Sequence, residues 1–123
     1  MKSPYTRSIV VCCTLISLLL ATPVLASDEH GCVHDLTVQS LHDCVVHAAH
    51  AGHIDNQGVT QSLLAKLDAA QAALDRGQPA VAVNNLKAFV RAVEAQAGQH
   101  IVAEHAVHLA MHAQQVIDGL TNR

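Results

Sequence analysis

From about residue 36 onward, apolar positions recur every three or four residues in four separate runs. Val38, Leu41, Val45 and Ala48 share one side of a helix expected over 36–51, with Gly52 as its stop. A second helix begins near Asn56: Val59, Leu63, Leu67, Ala70 and Leu74 advance by 4, 4, 3 and 4, and Gly77 follows as a C-terminal stop. Pro79 suits the first turn of a third helix, because its missing N–H would have had no partner there. That helix carries Ala82, Leu86, Phe89, Val93 and Ala97 as its buried stripe and ends at Gly98. A fourth carries Ala106, Leu109, Ala113, Val116 and Leu120. No stretch alternates polar and apolar residues long enough for a strand. The pattern predicts an all-α fold, a compact four-helix bundle-like module whose short connections make chain neighbours antiparallel.

The N-terminus departs from this pattern. Lys2 and Arg7 precede an apolar run from Ile9 to Leu20, and Val24-Leu25-Ala26 ends in the small residue that a signal peptidase requires. The run is shorter than the ~20 residues of a membrane span, and Pro23 interrupts its end. Residues 1–26 are therefore expected to be a cleaved signal peptide, 27–35 a Cys- and His-containing segment, and 36–123 the helical domain. The product is expected in the periplasm or fully secreted, with no membrane association after cleavage.

Composition narrows the function. Lys2 and Arg7 leave with the signal, so the remaining 97 residues hold five basic groups against ten acidic ones, a formal charge of −5 with neutral histidine. Nucleic acid is a poor partner for such a surface. Phe89 remains as the sole aromatic residue, which removes base-stacking platforms and aromatic sugar clamps. All ten histidines survive, a density that marks imidazole chemistry.

Two groups of histidines have metal-ligand spacing. His105, His108 and His112 fall at about −40°, −100° and −60° from Leu109 at 100° per residue, one stripe flanking the apolar face. The pairs His105/His108 and His108/His112 are i, i+3 and i, i+4, so either can chelate one cation from successive turns. On the first helix, Asp43, His47 and His50 cluster on the solvent side, and His53 lies three beyond His50. Two imidazoles and a carboxylate suit Zn, Cu or Ni ions. For both groups a solvated, metal-free histidine face is the competing reading.

Cys32 and Cys44 form a third group. In an exported protein they most simply make one disulfide. On one continuous helix they would stand about 18 Å apart, against the roughly 6 Å of a bridge, so a disulfide requires the chain between Cys32 and Leu36 to fold back. A Cys2His2 metal site from Cys32, His34, His42 and Cys44 is the alternative, and free or intermolecular thiols the remainder.

The segment 52–118 resembles a FIMAH domain, a small helical module of secreted microbial proteins. The resemblance rests on Gly58-Val59, Ser62-Leu63, Lys66-Leu67, Ala70, Gly77, Asn85-Leu86, Ala88-Phe89, Val93, Ala95-Gln96-Ala97-Gly98, Ile101 and Ala106, in register without gaps. The region from about Leu36 is similar to the helix that often precedes it. The resemblance implies an extracytoplasmic helical module, usually appended to larger secreted enzymes, with no established activity or catalytic residues. This chain departs from it at His105, His108 and His112, where ordinary helix residues are expected, and at Val102, where a serine-type cap is usual.

No carboxylate pair at an element junction, nucleophile elbow or Gly-rich phosphate loop is present, so the sequence is not read as an enzyme. It is read as an exported module that binds or buffers divalent transition metal. One rival is an adaptor for a protein partner without metal. The other is an acid-responsive protein, because ten histidines near pKa ~6.5 would carry the charge from about −5 towards about +5 as the pH falls to 5.

Overall fold

The computed structural model describes residues 35–123, and these fold into four helices: α1 (Val38–His50), α2 (Gln57–Asp75), α3 (Pro79–Gln96) and α4 (Ala103–Thr121). The expected signal peptide, Cys32 and His34 lie outside the described residues. Helix starts follow local chemistry. Thr37, in extended conformation, accepts the Ser40 N–H at 3.1 Å through Oγ1, which starts α1 at Val38 and leaves Leu36 before the helix, exposed. Asn56 caps α2 in the same way, its Oδ1 accepting the Val59 N–H at 3.1 Å. Pro79 occupies the first turn of α3. Gly52, Gly77 and Gly98 all have positive φ, the left-handed stop that other residues reach only with strain.

Each helix packs on its chain neighbours, and α4 closes the ring onto α1. Leu41, Val45, Leu63, Leu67, Leu86, Phe89 and Val93 are fully enclosed. Ala70, Ala73, Ala82 and Ala113 are equally buried, and their small side chains let the helix axes approach. Among the described residues, no helix is long and apolar enough to cross a membrane.

One expected core position is wrong. Ala97 is exposed, because α3 ends at Gln96 and the extended backbone at Ala97 turns it off the helix face. Ile101 and Ile54, neither of them on a helix, enter the core. They do so as a pair: the α1–α2 connection (51–56) and the α3–α4 connection (97–102) meet in an antiparallel bridge between Ile54 and Ile101.

Candidate functional site

This small ladder organises the histidines. The Val102 N–H donates to the His53 carbonyl at 2.9 Å, and the Asp55 N–H to the His100 carbonyl at 3.1 Å. With Ile54 and Ile101 facing inward, pleating turns their neighbours outward. His100 Nδ1 then lies 2.9 Å from Asp55 Oδ1. The ring of His53 stacks on that of His105 in the first turns of α4, with centroids 3.6 Å apart and planes 20° from parallel.

His105 Nδ1 is buried and makes no hydrogen bond. Burial, and next the His53 imidazole, hold His105 below the ordinary histidine value of 6.5; His108 and His47 act in the same sense, while the Glu104 carboxylate opposes them. The imidazole contact is thus between the α1–α2 connection (His53) and α4 (His105), while exposed His47 of α1 and His108 of α4 act on His105 only through their charge.

His112 does not belong to this group, which corrects the expected stripe of His105, His108 and His112. It is 5% exposed, and its Nε2 lies 3.0 Å from the Asp35 carbonyl and 3.1 Å from Ser40 Oγ. A carbonyl can only accept, so Nε2 carries the proton. Nδ1 faces Cys44 Sγ at 3.9 Å. The physical reason is where α1 crosses: it covers the middle of α4 at His112, whereas His105 projects beyond that contact onto the connection and His108 points to solvent.

The α1 group is also redistributed. Asp43, His47 and His50 are exposed as expected, but Asp43 accepts Gln39 Nε2 at 3.0 Å and lies 3.7 Å from His42 Nδ1. His42 Nε2 lies 3.7 Å from Asp68 of α2. His42 therefore faces α2, whereas Cys44, two residues on, faces α4, so these two expected co-ligands point to different helices. At the entry to α1 the Asp35 carbonyl accepts from Ser40 Oγ and from His112 Nε2. The bridge to Cys32 falls outside the described residues. Among the described residues, no group of three or more His, Cys, Asp or Glu is placed to hold a metal ion as the side chains stand.

A model of the FIMAH domain matches residues 38–118, more than half of the chain, and spans α1 to the last turns of α4. The chain belongs to the FIMAH domain family. Its α1, which the sequence resemblance set in front of the domain, is part of the match. No curated protein and no solved structure matches the chain.

Within this FIMAH domain, the residue that sequence reasoning missed is His53. Its spacing from His50 assigned it to the α1 face, but Gly52 ends the helix and redirects it towards α4. The glycine stop was legible; the residue it turned His53 towards was not.

Proposed function

We propose that this FIMAH domain acts outside the cytoplasm as a binder and buffer of divalent transition metal, taking Zn, Cu or Ni ions through imidazole nitrogens. The observation that carries this reading is the meeting of His53, from the α1–α2 connection, with His105 of α4, whose ring centroids lie 3.6 Å apart; His47 and His108 act on His105 electrostatically. Borderline cations take neutral imidazole, and the environment of His105 favours its neutral form. The rings of His53 and His105 stack rather than converge, so ligation requires them to turn. Imidazole χ2 is broad, which makes a turn of that kind cheap.

A cation near the start of α4 meets the positive end of the helix dipole, a penalty of about 0.3–1 kcal/mol. Glu104 in the first turn offsets it. Micromolar binding is worth about −8 kcal/mol, so the dipole does not decide the outcome. Export is supported by the signal-like residues 1–26. Calorimetric titration of tag-free, chelator-stripped protein with zinc, copper and nickel tests the reading. Saturable binding tighter than about micromolar is expected. Weak, non-saturating heats with all three ions would reject it and turn attention to a protein partner, for which exposed Val102, Val107 and Met111 offer apolar surface.

A further inference from the structure

We infer that the ion is held between His53 and His105, and that it thereby fastens the start of α4 to the α1–α2 connection. This rests on the metal reading above and adds to it a particular pair of ligands and a structural consequence.

Helix α4 starts without a side-chain cap. Its N-cap, Val102, offers no side-chain oxygen to the first-turn N–H groups. What holds it instead is the backbone of the neighbouring connection: Val102 N–H donates to the His53 carbonyl at 2.9 Å. The His53 side chain reaches past that bond to lie against His105, so main chain and side chain of one residue both grip the first turns of α4. His105 Nδ1, enclosed and without a hydrogen-bond partner, is a nitrogen with no competing bond to break before it ligates.

The other available pairs differ in kind. His47/His50 and His105/His108 each lie on one helix, and such a pair binds whenever that helix forms. His53 and His105 come together only in the folded bundle, so an ion shared by them binds the native state and not the unfolded chain. Water completes the shell, and exposed His108, the i, i+3 neighbour of His105, is the next imidazole along α4. The ion would then hold closed the very junction where Val102 N–H meets His53.

Amide exchange at Val102, measured with and without zinc on the full chain, tests this alongside calorimetry. At zinc a hundredfold above its Kd, exchange through opening of this junction should slow by about a hundredfold. His53→Gln should abolish both that slowing and the tight binding, and His50→Ala should preserve both. His105→Gln repeats the test from the other side of the pair if His53→Gln loses its helical circular dichroism. Zinc binding in the parent that leaves Val102 exchange unchanged, or that survives His53→Gln at the same affinity, overturns the shared site and leaves the metal reading standing. Absence of zinc binding in the parent overturns both.

Discussion

His112 and His108 lie one helical turn apart, yet they occupy opposite environments, and substitution should separate them. Replacing His112 by Ala removes a buried ring and its bonds to the Asp35 carbonyl and Ser40, a loss of about 1–3 kcal/mol. His108→Ala, at an exposed position, should stay within about 0.5 kcal/mol of the parent. Urea unfolding of the two variants checks this, and equal midpoints would contradict the buried placement. His105 predicts a pH dependence whose sign follows from its environment. Burial and His53 depress its folded-state pKa, so the unfolded chain takes up the proton first as the pH falls through about 6.5. Its contribution is present above that value and is lost as the pH drops towards the folded-state pKa. The melting temperature of metal-free protein should therefore fall between pH 7.5 and 5, and less steeply in His105→Gln; parallel profiles would remove His105 from the account. His53, Glu104, His108 and His47 are the titratable groups that act on its charge.

Helix ends are where the elements can be tested individually. Asn56→Ala deletes the side-chain acceptor of the Val59 N–H and should cost about 1 kcal/mol. Gln78→Ala should cost much less, because the Gln78 side chain makes no capping bond to α3 and accepts only from Arg76 Nε at 3.4 Å on the surface. Thermal melts distinguish them, at about 4–8 °C per kcal/mol for a domain of this size. These ends were legible in the sequence because Asn56, Pro79, Gly52, Gly77 and Gly98 act on their own few residues of backbone. Leu36 and Ala97 were placed too generously for the converse reason. Periodicity continues across a helix end, but Thr37 and the extended backbone at Ala97 had already left the helical conformation.

At the scale of the whole molecule, the core depends on a few large side chains among many alanines. Phe89, fully enclosed, should lose about 3–5 kcal/mol on replacement by Ala, a large share of the stability of so small a domain. Ile101→Ala should cost about 2–5 kcal/mol and also loosen the ladder that carries His53, which guanidinium unfolding and the Val102 exchange rate would report together. The stripes of α2, α3 and α4 announced most of this core. Ile54 and Ile101 carried no periodic signal, being short apolar interruptions in connections that only the closed ring brings together.

The sequence by itself determined four helices, their stops and the side of each helix that is buried, because hydrogen bonding along a helix and the 100° step are properties of neighbouring residues. Tertiary structure alone decided what each histidine meets. The wheel gives His105 and His112 nearly the same direction from the α4 axis, but only the crossing of α1 encloses His112 against Ser40, and only the Ile54–Ile101 ladder sets His53 against His105. A helical period fixes where a side chain points, and packing fixes what stands there.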